Sequence, residues 1–490
     1  MMKNCLYLHI STPKEEGMAN IIGRNNEMKL LRQYVNSEKA EFVAVYGRRR
    51  VGKTFLVREM FGNEFAFEVS GTIHGKRSEQ MYNFVQALQR YGYECSEIPT
   101  DWNVAFDALR QLLEEKVKRQ PCILFIDELP CFDTPKAGFV RALDHFWNGW
   151  AAHCPNVKLI VCGSATSWMI ENVIDNHGGL HNRITHEMHL QPFTLGEAEA
   201  YFKQYGFEWN RLSVLQAYMA LGGVPYYYSL LDNRTSLAQN IDRLFFQKDG
   251  EMRREHDRLF KSLFASPDSY LSIVKVLSET KQGLSREEIA AKAHLSNNGH
   301  LSKLLANLVN CDFIRSFHVK EKKIKANAQF YQLTDLFTLF HYTFAQKPTT
   351  DEHYWSNMLG TSRMNTWLGL AFERVCLLHI PQIKRSLGID RIHTEYYSWR
   401  SKNSQPAAQI DLIIERADQV VNVCEMKYSE YSYSISKAED TRLRNRIGSF
   451  LEETKTRGGL HLTIISTYGL KKNMYSDAVR NEVTMDDLFD

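Results

Sequence analysis

The sequence predicts an α/β protein built on a parallel sheet, and three stretches carry that prediction. Glu41-Phe-Val-Ala-Val-Tyr46 is an apolar run of strand length that ends at Gly47. Cys122-Ile-Leu-Phe-Ile-Asp127-Glu128 is a second such run, closed by two carboxylates. Lys158-Leu-Ile-Val-Cys-Gly163-Ser164 is a third, closed by small polar residues. Continuous apolar runs of this kind fit strands buried on both faces.

The first run leads into a loop with a specific chemistry. Gly47-Arg48-Arg49-Arg50-Val51-Gly52-Lys53-Thr54 has the spacing Gly-x4-Gly-Lys-Thr, and Phe55-Leu-Val-Arg-Glu-Met then reads as a helix. Strand, glycine loop and helix in that order form a phosphate-binding unit, the P-loop. Glycines let backbone N–H groups wrap a phosphate chain, and the helix N-terminus favours anions. Lys53 is placed to reach the β- and γ-phosphates and Thr54 to ligate Mg²⁺, so ATP and Mg²⁺ are the expected cofactors.

The second run supplies the rest of that chemistry. Asp127 would hold the Mg²⁺, and Glu128 would take the proton of the attacking water. At the end of the third run, Ser164 or Thr166 is a candidate polar contact to the γ-phosphate, with a plain strand-end turn as the alternative. Arg183 is a candidate arginine finger, in cis or across a subunit interface, with an ordinary surface arginine as its rival. Residues 65–70 suit another strand, and 78–91 and 102–118 suit helices. Thr194 with Glu197 makes a capping box that opens a helical lid over 194–264. Within it, Leu221-Gly-Gly-Val-Pro225 breaks the helical pattern.

Composition bounds the rest. A chain of 490 residues predicts about three domains. Its 44% hydrophobic and 24% charged residues are ordinary for soluble globular proteins. A net charge of +3 is too small to argue for nucleic acid, so any basic surface must be local. Nine cysteines lack metal-type pairs, and Cys122, Cys162 and Cys424 sit in apolar runs. They read as reduced, buried thiols of a cytoplasmic protein. No apolar run has the length of a membrane span, so no membrane association is expected. Residues 1–18 read as an N-terminal extension, with Met18 as the expected natural start.

Residues 265–345 read as a winged helix. Ser285 with Glu288 forms a capping box, Gly299-His-Leu-Ser-Lys-Leu-Leu-Ala-Asn is the recognition-type helix, and Asp312-Phe-Ile-Arg begins the wing. Duplex binding would place His300, Lys303 and Asn307 in the major groove and the wing lysines Lys320, Lys322, Lys323 and Lys325 on phosphate. A protein-contact module is the equal alternative.

The last part of the chain, 350–490, carries a second constellation. Glu373 is an acid embedded in an apolar helix, Asp411 sits in the strand Gln409-Ile-Asp-Leu-Ile-Ile, and Glu425-Met-Lys427 closes the strand Val420-Val-Asn-Val-Cys. A helix with Arg442, Arg444 and Arg446 and a strand at His461 follow. Alternation puts Glu425 and Lys427 on one strand face, where Asp411 can meet them. Glu373, Asp411 and Glu425 make an oxygen-rich set suited to Mg²⁺, and Lys427 can activate a water or steady phosphate charge.

Two resemblances organise these readings. Tyr46-Gly-Arg-Arg-Arg-Val-Gly-Lys-Thr, Phe125-Ile-Asp-Glu, Cys162-Gly-Ser and Leu221-Gly-Gly-Val-Pro resemble the predominantly archaeal ATPase family, which is related to signal-transduction and AAA ATPases, over roughly 19–264. That resemblance implies Pro225 on the lid near the adenine; the core is 19–193. Glu373, Asp411, Glu425 and Lys427 resemble the PD-(D/E)xK nuclease superfamily, with Gln409 standing where an acid is frequent. Together they imply a P-loop NTPase sheet with helical lid, a winged-helix module and an α/β restriction-endonuclease-like domain. The implied function is an ATPase that acts on DNA. The alternative is a nucleotide-gated regulator that binds DNA or protein without cutting; a homo-oligomer stays open.

Overall fold

The computed structural model describes residues 21–94, 97–175, 182–318, 329–347, 349–401 and 408–490. Five strands, β1 Glu41–Tyr46, β2 Phe65–Ser70, β3 Cys122–Asp127, β4 Val157–Gly163 and β5 His186–His189, form one parallel sheet in the order β2-β3-β4-β1-β5. The registers Ser70↔Asp127 and Tyr46↔Gly163 bring the carboxyl ends of the strands to one edge. Alternation along the strands divides their side chains between two cores. Phe42, Ala44, Leu124, Ile126 and Leu159 face one side, and Val43, Val45, Ile123, Phe125 and Ile160 face the other. Burying Phe42 and Phe125 stabilises the sheet by about 2–3 kcal/mol each. Helices over Arg77–Arg90 and Trp102–Leu113 complete one layer, close to the ranges the sequence predicts.

The lid begins at the expected capping box, in which Thr194 accepts from the Glu197 N–H and Glu197 accepts from the Thr194 N–H. Its helix Arg211–Leu221 stops at Gly222, which has φ 66. A Cβ on Gly223 would collide with the Phe193 carbonyl oxygen. The short helix Pro225–Tyr228 follows and turns back over the sheet edge.

Next come the helices Asp268–Ser278, Arg286–Lys292 and Gly299–Asn310, with an antiparallel sheet of β6 Leu284–Ser285, β7 Ile314–His318 and β8 Gln329–Leu333 in the order β6-β8-β7. Ser285 and Glu288 make the predicted capping box. Lys320, Lys322, Lys323 and Lys325 lie outside the described residues, as does the extension 1–18.

The C-terminal sheet is mixed. Its strands are β9 Thr394–Arg400, β10 Gln409–Arg416, β11 Val420–Lys427, β12 Gly459–Ser466 and β13 Val479–Thr484, in the order β13-β12-β11-β10-β9. The first three pair antiparallel, and β11, β12 and β13 pair parallel. The helix Lys437–Thr454 makes the crossover that a parallel β11–β12 pair requires. Leu412, Ile414, Cys424 and Met426 pack toward the helix Ser362–Leu378, while Ile413, Val421 and Val423 pack with Phe450. One continuous core runs from Phe193 to Phe489 and joins the lid, the three-stranded module and the C-terminal sheet. Among the described residues, no helix is long and apolar enough to cross a membrane.

Candidate nucleotide site and the C-terminal acidic cluster

The carboxyl edge of the parallel sheet carries the predicted loop. Open α/β sheets place ligands at this edge. Gly47 has φ 141, and a Cβ there would collide with the Leu190 carbonyl oxygen. Gly52 has φ 96 and is the N-cap of the helix Lys53–Phe61, with no side-chain cap and no acid in the first turn. The first N–H groups of that helix are therefore free to receive an anion. Lys53 is buried and donates to the Gly47 and Arg48 carbonyls at 2.9 and 3.0 Å, which holds it inside the loop. Burial pushes its ammonium down from the usual lysine range, against the pull of Glu128 and Asp127.

Thr54 Oγ1 donates to Asp127 Oδ1 at 2.9 Å, and Ser70 Oγ donates to Asp127 Oδ2 at 3.2 Å. A hydroxyl and a carboxylate at that spacing are the protein ligands an Mg²⁺-nucleotide needs, so the donor set fits the ion. Burial, with Glu128 adding, raises the Asp127 carboxyl, and a bound cation would reverse that penalty. Glu128 sits at φ 47, a left-handed conformation that costs about 1–3 kcal/mol for a residue with a Cβ. Ser164 fixes its carboxylate through Oγ at 2.7 Å and N–H at 3.3 Å. Thr166, the alternative to Ser164, is fully buried.

These residues surround a cavity of about 530 Å³ lined by the loop, Glu128 and Ser164 on one side and Pro225, Tyr226, Tyr201 and Tyr205 of the lid on the other. Pro225 lies on the lid side of this cavity. The tyrosines, together with Ile21 and Ile22, form an apolar wall of the kind that accepts a planar base. Sequence reasoning did not single out this wall, because Tyr226-Tyr-Tyr reads equally as lid core, and Tyr227 and Tyr228 are indeed buried.

The three loop arginines go three ways. Arg48 is buried and paired with Asp335, which also caps the helix Leu336–Phe340 by accepting from the Thr338 N–H at 3.0 Å. Asp335 outweighs the burial of Arg48 and holds its guanidinium above the usual value. Arg50 pairs with Glu255 of the lid at 2.6 Å and lies over the Tyr226 ring at 4.2 Å. Arg49 faces the cavity. Asp335 and Glu255 carry no motif, so the sequence could not mark them as partners of the loop. Arg24, outside the predicted set, donates to the Gln191 and Val51 carbonyls at 2.8 and 3.4 Å and packs over Phe193. Arg183 is exposed and just precedes β5. Pairing of Val43 with His186 puts it at the amino edge of the sheet, away from the P-loop, so the chain does not bring it to this site.

Of the three residues predicted to read DNA, one is turned inward. Asn307 is buried and donates to the Tyr270 hydroxyl at 2.8 Å, and Lys303 pairs with Glu171 of the first domain at 3.1 Å. His300 remains exposed.

The C-terminal acids divide into two sets. Glu425 is held by Lys427 at 3.0 Å and Arg446 at 2.6 Å, and Lys427 also meets Glu439 at 3.0 Å. Glu373 is paired with Lys281 at 2.5 Å, and Asp411 accepts from the Gln409 amide at 2.5 Å. Burial, then Asp411, pushes the Glu373 carboxyl up to about 7. Burial, with Arg374 adding, pushes Arg315 of β7 down to about 9, against the pull of Asp411. The expected ligand trio Glu373, Asp411 and Glu425 is not gathered: Lys427 and Arg446 hold Glu425, and Lys281 meets only one oxygen of Glu373, whose Oε2 is buried with no hydrogen-bond partner among the described residues. Among the described residues, no three His, Cys, Asp or Glu side chains form a set that could hold a metal.

Residues 21–231 match the family described as an ATPase domain predominantly from Archaea. Over this segment the chain is similar to that ATPase-domain family. The match takes in the whole parallel sheet and the start of the lid. An uncharacterized protein of Methanocaldococcus jannaschii is 26% identical over 367 residues, 72% of this chain and 76% of its own length. An uncharacterized ATP-binding protein of the same organism is 38% identical over 48 residues, 10% of this chain and 81% of its own. Among solved structures, the Walker-type ATPase of Pyrococcus abyssi superposes with a TM-score of 0.45 at 18% identity, covering 66% of this chain and 96% of that one. The Aeropyrum pernix ORC2 protein does so with a TM-score of 0.41 at 14% identity, covering 67% and 96%.

Proposed function

We propose that this chain binds and hydrolyses ATP with Mg²⁺ and that the nucleotide gates its C-terminal half. The observation that carries this reading is the cavity that joins an uncapped helix N-terminus, the Thr54–Asp127 pair and the Ser164-held Glu128. The loop amides and Lys53 would bind the phosphates, Thr54 and Asp127 the Mg²⁺, and Glu128 would take the proton of the attacking water. Mg²⁺ held there would supply charge neutralisation to the phosphates. Gating follows from Arg48 and Arg50, which tie the loop to Asp335 and to Glu255.

For the C-terminal half we propose a DNA-directed, nuclease-like domain reached through a winged helix. The mixed sheet with Asp411 and Glu425 on adjacent strands supports it. The ion pairs on Glu373 and Glu425 and the inward turn of Asn307 favour the second reading, a nucleotide-gated regulator that does not cut in this arrangement. A plasmid-nicking assay with Mg²⁺, run with and without ATP, separates the two. Cleavage that requires Asp411 and Lys427 supports the nuclease. A salt-sensitive band shift without cleavage supports the regulator.

A further inference from the structure

We infer that Arg49, inside the glycine loop, is the arginine that stabilises the transferring γ-phosphoryl group. The inference rests on the ATPase reading above. Three arginines line the cavity besides the loop lysine: Arg24, Arg49 and Arg50. Arg24 is spent on the carbonyls of Gln191 and Val51, and Arg50 on Glu255. Arg48 points away from the cavity into its buried pair with Asp335. Arg49 is half-buried, and among the described residues its guanidinium has no hydrogen-bond or ion-pair partner. An arginine held half out of water beside a phosphate loop, with its donors unspent, is disposed to meet an anion.

Its position selects the γ end of that anion. Arg49 lines the same cavity as Glu128 and Ser164, which mark the place proposed for the attacking water. Its charge also reaches the turn that follows Glu128: it opposes the rise that burial, Glu128 and Asp127 impose on the Cys131 thiol. In the step that results, the water oxygen bonds to the γ-phosphorus and the bond from phosphorus to the β–γ bridging oxygen breaks. The electron pair of that bond stays on the β-phosphate of ADP, and the water proton passes to Glu128. Charge spread over the three equatorial oxygens during that displacement is what the Arg49 donors would meet. Arg183 cannot take this part within one chain, since it lies at the opposite edge of the sheet.

The test compares Arg49→Ala and Arg49→Lys with the parent protein. Steady-state ATP turnover is measured with Mg²⁺, along with binding of ADP, of ATP and of ADP with aluminium fluoride, a mimic of the transferring phosphoryl group. The expected result for Arg49→Ala is a fall in kcat of about 10³-fold or more. ADP and ATP affinities should change by less than about tenfold, and the gain from aluminium fluoride should vanish. Arg49→Lys should keep ATP affinity without restoring that gain, because a point charge lacks the planar fork. Retained ADP binding shows that the variants are folded. Turnover in Arg49→Ala within about threefold of the parent overturns the inference. So does a fall in kcat matched by an equal loss of ATP affinity. If the parent itself does not turn over ATP, the ATPase reading fails, and this inference with it.

Discussion

At the nucleotide end, the glycine loop leaves its helix uncapped, Arg49 unpaired among the described residues, and Glu128 oriented by Ser164 toward the cavity. In the C-terminal sheet, Glu425 is held by Lys427 and Arg446, and Glu373 by Lys281. Both regions gather acids and cations at strand ends or on buried helices. The first directs its groups at a space where a ligand would complete them, and the second pairs most of its groups internally, leaving Glu373 Oε2 buried with no partner among the described residues. A site of the first kind is arranged for binding. A site of the second kind works only after its internal pairs are exchanged for a metal or a substrate.

The connection between the two regions should show the largest effect. Asp335→Ala strands Arg48 in a buried place and removes the cap of the helix Leu336–Phe340. We expect a loss of about 3–5 kcal/mol in denaturant unfolding. The double variant Arg48→Met/Asp335→Leu should cost less than the sum of the single changes. Full additivity would mean that loop and module are not coupled through this pair.

Next is Lys53→Ala, which should weaken ATP binding about 100-fold, near 3 kcal/mol, as read by calorimetric titration. Unchanged affinity would erase the contrast by making the loop as closed as the C-terminal cluster.

Much of this contrast was legible in the sequence at one end only. Gly47, Lys53, Thr54, Asp127, Glu128 and Ser164 were readable from motif spacing and strand ends, and Pro225 from the family resemblance. Lys53, Thr54, Glu128, Ser164 and Pro225 line one cavity, and Asp127 joins it through Thr54. Glu373, Asp411, Glu425 and Lys427 were also placed on the right elements. What the sequence did not carry was their partners. Lys281, Arg446, Asp335 and Glu255 come from distant parts of the chain, and long-range ion pairs have no local pattern. Gln409, an expected weakness in the acid set, proves to be a donor to Asp411. Arg183 lies at the amino edge of the sheet, away from the P-loop of its own chain, a distinction that only strand register supplies.

A pH experiment sharpens the C-terminal side. The Glu373 carboxyl, raised by burial and by Asp411 from 4.5 to about 7, contributes stability that is full below pH 4.5 and is lost as pH rises through 7. Glu373→Gln cannot ionise, so its stability should fall less between pH 4.5 and 8, by up to about 3 kcal/mol. Parallel curves for variant and parent would contradict the burial of that charge.

The smallest effect is expected at Arg446→Ala, whose pair with Glu425 is partly exposed. Stability should drop by no more than about 1 kcal/mol. Release of Glu425 should raise Mn²⁺ binding, followed by the loss of the free-ion electron paramagnetic resonance signal. Mn²⁺ binding equal to that of the parent would mean that this pair does not control the acids.

The central claim is that the carboxyl edge of the parallel sheet is a competent hydrolytic site with Glu128 as its base. Glu128→Gln, measured by single-turnover ATP hydrolysis alongside equilibrium ATP binding, tests it most directly. The account predicts binding within about threefold of the parent and hydrolysis slowed at least 100-fold. Hydrolysis at the parent rate with binding intact would contradict it.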